Sequence, residues 1–503
     1  MTCAKAVASV AALLVLSCVV IRTAEARSPQ APRSSESAPD PQVQTDAEFY
    51  AAADEVLQAM STILALPVKS PLQKSIRTKT QIREYLVNQQ NKDESPQKRY
   101  ADQRTLEAFG LIPKGFPLDS FLLDLLTEQV AGLYDPEGKQ FFIADWISPA
   151  DQKPVMAHEL THALDDQYFH LDKWQKAVRS NDDASLARDA VIEGSAVASM
   201  MDYTLADLHT SVQELPDIAP FIESSIADQM DKDPNLQKAP PFVRDELLFP
   251  YLEGAKFSQK VLKAMGGWAG FQKVFKKPPE STQQILHPDL YFQYVRPEIV
   301  DLPHLKADLP RGYGQLDENV VGEFALGEVL KQFLGPGDAE KFAPMWRGDR
   351  YALFENKNTK QTILVVLLAL DSQSDASSFF TAYRQALEDK HSVKMLAQGN
   401  EFVAFDHVFL RCVRDRCLSV EGADRAVFDR INHQLGWPIE PRASVTLPAS
   451  APFSSAPYSH AADNGKAVRV RISLASRCSS QSWRWVVATL ATPLLHSVLF
   501  RIQ

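Results

Sequence analysis

Eleven histidines are spread over 503 residues, and two of them, His158 and His162, lie four apart with Glu159 beside the first. On a helix, positions i and i+4 sit one turn apart on the same face, so both imidazoles can reach one ion. The carboxylate next to them can hold and deprotonate a water beside that ion. These are the minimal parts of a zinc hydrolase. Val155, Leu160, Ala163 and Leu164 supply an apolar stripe alongside the histidines, and Asp151 can cap the helix with Pro154 in its first turn. The competing reading is an ordinary surface helix with two incidental histidines.

An open catalytic zinc site has three protein ligands and a water, so the chain must supply one more donor. Glu193 is the best candidate. Its segment reads as a helix capped by Asp182 or Asp183, and Ala190, Gly194 and Ala196 keep its surroundings small. A glycine in mid-helix costs about 1 kcal/mol relative to alanine. Close approach to the His158–His162 helix would be a reason to keep it. Asp189 and Asp166, one turn from Glu193 and from His162, are candidates for orienting the ligands. His170 follows His162 without an intervening glycine, which fails the longer three-histidine zinc motif, and it reads as a loop residue. A zinc hydrolase also needs a donor aimed at the oxygen that becomes negative during reaction. His287, Tyr251 and Tyr203 are candidates, each equally readable as a satisfied core side chain.

The tract His158-Glu159-Leu160-Thr161-His162-Ala163-Leu164-Asp165-Asp166, followed by a helix carrying Glu193, resembles the gluzincin branch of zinc metallopeptidases, the thermolysin-like set of two histidines and one glutamate. It departs from thermolysin after the glutamate, where Val197 stands in place of an acid, so an orienting carboxylate must come from elsewhere. A wider resemblance is to uncharacterised secreted bacterial and archaeal proteins with a HELTHALxDQ-type helix. It rests also on Ala131-Gly132-Leu133-Tyr134-Asp135-Pro136, on Phe249-Pro250-Tyr251 and on the tract from Pro278 to Pro288, and spans about residues 105–295. The resemblance implies a peptidase but no particular substrate.

A net charge of −10 argues against a general nucleic-acid binder, and no basic run or phosphate-cradling loop offsets it. Lys5, an apolar stretch from Ala6 to Ile21 and Ala24-Glu25-Ala26 read as an export signal cleaved near Arg27. In an oxidising compartment Cys412 and Cys417 could close a small disulfide, or they could remain reduced, and Cys478 is left unpaired.

The expected architecture is α+β: a mainly helical zincin-like catalytic domain with a small β-hairpin, plus a small C-terminal α+β domain. The order runs from a signal peptide (1–26) and a flexible leader (27–44) to an N-terminal helical region (45–129). A metallopeptidase domain (130–340), a small α+β domain (341–437) and a disordered tail (438–503) follow. The hairpin is expected at 130–134 and 139–143, helix starts at Phe249-Pro250-Tyr251 and at Ser281 or Thr282, and a strand at Thr362–Leu370. The apolar stretch Trp485 to Phe500 is short for a membrane span, and membrane association is not strongly indicated. The function expected is an exported zinc peptidase acting on peptides or proteins. His158, His162 and Glu193 would hold Zn2+, with Glu159 as general base and His287 or Tyr251 as electrophilic donor. The rival is a zinc-stabilised binding or scaffold protein without activity.

Overall fold

The computed structural model describes residues 45–93, 95–129, 132–397 and 402–437. The expected signal peptide, leader and tail lie outside the described residues, as do Val130, Ala131 and Cys478. The chain is mixed α+β, with long helices and two sheets. No helix among the described residues is long and apolar enough to cross a membrane.

The first sheet has three strands in the order β1-β3-β2. β2 (Gly132–Asp135) and β3 (Gln140–Ala144) form the expected antiparallel hairpin, tightened where Asp135 Oδ1 accepts the Glu137 N–H at 3.0 Å. β1 (Gln73–Arg77) pairs parallel to β3 and interrupts a region expected to be helices joined by a polar loop at 91–98. Its only strongly apolar residue is Ile76, so no alternation marks it as a strand.

Helix Asp46–Ile63 and the histidine helix, Pro149–Phe169, share one core. Phe49, Val56 and Met60 pack with Met156, Leu160 and Leu164, and with Phe141 and Ile143 from β3. The histidine helix starts one turn earlier than expected. Ser148 is its N-cap, accepting the Asp151 N–H at 3.2 Å, and Pro149 takes the first helical position, which needs no N–H. Pro154 therefore lies within the helix. It ends at His170, in the left-handed region at φ 55°.

The glutamate helix, Asp182–Leu205, is capped by Asn181, whose side chain accepts the Ala184 N–H at 3.0 Å; Asp182 and Asp183 fall in its first turn, not at the cap. A third long helix, Pro241–Met265, carries Tyr251 and is called the tyrosine helix. Phe249-Pro250-Tyr251 lies inside it and not at its start. Pro241 opens the helix and Gly266, at φ 78°, closes it.

The second sheet is fully antiparallel with seven strands in the order β4-β5-β6-β10-β9-β8-β7. These are β4 (Tyr313–Asn319), β5 (Trp346–Asn356), β6 (Thr362–Leu370), β7 (Leu396–Ala397), β8 (Phe402–Phe405), β9 (Val408–Val413) and β10 (Arg416–Glu421). Val365, Leu367, Leu418 and Val420 turn one face to Val427, Phe428 and Ile431 of helix Arg425–Gln434. Helix Gln373–His391 also packs on the sheet, and Cys417 Sγ lies 3.9 Å from the Ala376 carbonyl oxygen. Cys412 and Cys417 face each other across β9 and β10 and are joined by a disulfide. The sheet begins at β4, before the expected boundary at 341. β4 is an edge strand of sequence Tyr-Gly-Gln-Leu-Asp-Glu-Asn, too polar to stand out from a loop.

Candidate metal centre

His158 and His162 project from the histidine helix toward Glu193 of the glutamate helix, and all three are buried. His158 Nε2 lies 3.1 Å from His162 Nε2 and 3.2 Å from Glu193 Oε2, and His162 Nε2 is 3.6 Å from the same oxygen. A tetrahedral ion with bonds of about 2.0–2.1 Å separates its ligand atoms by about 3.3–3.4 Å. The three measured edges bracket that value. Two facing imidazole nitrogens and a carboxylate oxygen, all out of water, are what a divalent cation needs and what a dry core avoids. The residues fit a metal.

The electrostatics follow from burial and from Glu193. Burial pushes His158 down, since a charged ring is disfavoured there. Burial opposes the charged form of His162 too, but Glu193 outweighs it and holds His162 up at about 9. Glu193 itself is held below the usual range: burial would raise it, and His162 and His158 overcome that. Glu159, fully buried, is pushed up to about 8 by desolvation. Its Oε2 accepts the Tyr134 N–H at 2.8 Å, while its Oε1 has no partner among the described residues. The Nδ1 atoms of both histidines also have no partner among the described residues.

The two ligand helices meet where Thr161 Oγ1 and Ser199 Oγ approach to 2.7 Å. The small residues around Glu193 serve a different contact from the one expected. A Cβ on Gly194 would stand 2.0 Å from the Gly254 carbonyl carbon, and one on Gly254 would stand 2.2 Å from the Ala190 oxygen. Gly194 thus lets the tyrosine helix, not the histidine helix, come close. That approach brings Tyr251 to the site. Its ring stacks on His158 at 6.4 Å and its hydroxyl donates to Glu193. Tyr251 therefore faces the ligand set from the tyrosine helix.

His287 is not brought to the ligands. Its Nε2 lies 2.7 Å from Glu323 Oε1. Thr282 of the same short segment bonds Asp183, which is ten residues from Glu193 along the helix, about 15 Å away. Tyr203 lies as far in the other direction, with Lys153 and Glu55 as its charged neighbours. Asp189 accepts from Gln175 at 3.0 Å. Asp166 accepts from Tyr134, Lys139 and the Leu171 N–H, so it does not serve the histidine rings as expected. Sequence reasoning missed Tyr134, whose signal was its place in an edge strand just before the histidine helix. A small space of about 10 Å3, room for about one water, adjoins the ligands; its lining includes Tyr134, Pro136, His162, Leu171 and Glu193.

One family, described as a domain of unknown function (DUF8575), matches residues 310–431. The match covers the second sheet from β4 through β10 and includes none of the three donors. No curated protein and no solved structure matches this chain.

Proposed function

We propose that this chain is an exported, zinc-dependent metallopeptidase with a zincin-like catalytic region and a gluzincin-type ligand set. The observation that carries the reading is the convergence of His158 Nε2, His162 Nε2 and Glu193 Oε2 within 3.1–3.6 Å, with Glu159 buried one residue from His158. His158, His162 and Glu193 would hold the ion. Zinc bound there would act as a Lewis acid toward the scissile carbonyl and lower the pKa of a water from 15.7 toward about 7. Glu159, whose Oε1 has no partner among the described residues, would be placed to take up a proton from a water and hand it to the departing amine. Tyr251 holds Glu193 in place through its hydroxyl.

The Cys412–Cys417 disulfide supports an oxidising compartment and so the export reading. The net charge supports a protein or peptide substrate over a nucleic acid. The rival is a zinc-stabilised binding or scaffold protein without activity. A general base is of no use to a purely structural site, and structural zinc has four closed ligands. The deciding experiment is chelator-sensitive cleavage of unfolded casein by the full chain and by Glu159→Gln. Cleavage by the parent, with zinc retained and cleavage lost in the variant, supports the peptidase. Stoichiometric zinc with no cleavage of any peptide in a broad panel supports the rival.

A further inference from the structure

Asp166 is 1% exposed, and its carboxylate ties together two walls of the space beside the metal ligands. Oδ2 accepts from the Tyr134 hydroxyl at 2.7 Å and from Lys139 Nζ; Oδ1 accepts the Leu171 N–H at 2.9 Å. Tyr134 and Leu171 both line that space. Tyr134 is engaged twice. Its ring is held by Asp166, and its backbone N–H donates to Glu159 Oε2 at 2.8 Å. That amide is available because the strand order leaves β2 at an edge, where N–H groups are not used by a neighbouring strand. A buried carboxylate with one fixed donor has one of its oxygens assigned and the other free. Glu159 is in that state, with Oε1 unpartnered among the described residues.

We infer that Asp166 and Tyr134 are positioning residues of the metal centre: the Asp166 carboxylate, by gripping the Tyr134 ring, fixes the strand amide that holds Glu159 in one orientation with one free oxygen. A chain of contacts thus runs from Asp166, one turn past His162 on the histidine helix, out to the hairpin and back to Glu159 on that same helix. Lys139, exposed at its outer end, neutralises the buried Asp166 without touching Glu159. The consequence for catalysis rests on the peptidase reading; the positioning itself does not.

Two arms separate them. In the metal-free full chain, hydrogen exchange of the Tyr134 amide is compared among the parent, Tyr134→Phe, Asp166→Ala and Glu159→Ala. Exchange about 10-fold faster or more in all three variants is expected, since each breaks the chain at a different link. Parent-like exchange in both Tyr134→Phe and Asp166→Ala, with fast exchange in Glu159→Ala, overturns the inference. Should Asp166→Ala fail to fold, Tyr134→Phe removes one hydroxyl and leaves Lys139 on Asp166. In the zinc-loaded chain, Tyr134→Phe and Asp166→Asn are expected to lower kcat by about 10- to 100-fold with KM and zinc content unchanged. A matching loss of zinc affinity instead would mean that they support the ligands and not Glu159, which also overturns it. A parent that binds zinc and cleaves nothing removes the peptidase reading and leaves the exchange arm to decide the positioning.

Discussion

Replacing Gly194 with alanine tests how the metal centre is assembled. The new methyl would lie 2.0 Å from the Gly254 carbonyl carbon and 2.2 Å from its oxygen. Ordinary carbon contacts are about 3.5–4.0 Å, so the glutamate and tyrosine helices must part by about 1.5 Å or more. Both clashing atoms are backbone, and no rotamer change relieves them. Alanine gains about 1 kcal/mol over glycine in a helix, while overpacking of this kind costs about 1–3 kcal/mol and occasionally more. With rigid backbone on the opposing side, the cost falls at the upper end, and a net loss of about 2 kcal/mol is expected. Tyr251 lies three residues before Gly254 and moves with it, so its hydrogen bond to Glu193 breaks and zinc affinity falls about 10-fold. Urea unfolding of the metal-free chain and competition with a chromophoric zinc chelator measure the two effects. Gly337→Ala, where a Cβ meets nothing within 4 Å, is the control and should stay within about 0.5 kcal/mol of the parent. If Gly194→Ala matches the parent in both stability and zinc affinity, the close crossing does not build the site.

His287→Ala should leave zinc content and casein cleavage within about threefold, because His287 serves Glu323; unfolding should show a loss of about 1–3 kcal/mol from the buried carboxylate left behind. Removing both Cys412 and Cys417 as alanines should cost about 2 kcal/mol for so short a loop, read by denaturant unfolding, with zinc affinity unchanged. Glu421 is buried, which alone would raise it, but Lys390 and His391 hold it down at about 2, below the unfolded value near 4.5. Its contribution is therefore complete above the unfolded value and is lost as pH falls from there through about 2. It is on the order of 3 kcal/mol, and Glu421→Gln should flatten that part of an acid unfolding curve.

The parts of the site that lie within one helix were legible in the residues. His158, Glu159 and His162 need only a helical period, and the structure places them on one helix, with both rings aimed at Glu193. Glu193 was found because small and apolar neighbours marked its helix as buried. What those small residues pack against was not legible: Gly194 opens a face, and sequence does not say which helix fills it. His287 pairs with Glu323, a partner that its place in the sequence does not show. Its surrounding motif is dense in polar residues because it ties elements together. Thr282 bonds Asp183, Gln283 Nε2 bonds the Trp346 carbonyl at 2.6 Å, and Gln284 Nε2 bonds the Val295 carbonyl at 2.8 Å. In the fold, strand β6 announced itself through its long apolar, β-branched run. β1 and β4 did not, because edge strands of polar residues carry no alternation.

Two imidazoles and the Glu193 carboxylate are proposed to hold one divalent ion. Metal analysis of the purified full chain, followed by X-ray absorption at the zinc edge, tests it most directly. One zinc per chain is expected, with two nitrogen ligands and carboxylate oxygen at about 2.0–2.2 Å, and that zinc should be lost in a His158→Ala, His162→Ala double variant that stays folded. A parent chain without stoichiometric metal after zinc loading, or a double variant that keeps its zinc, would contradict it.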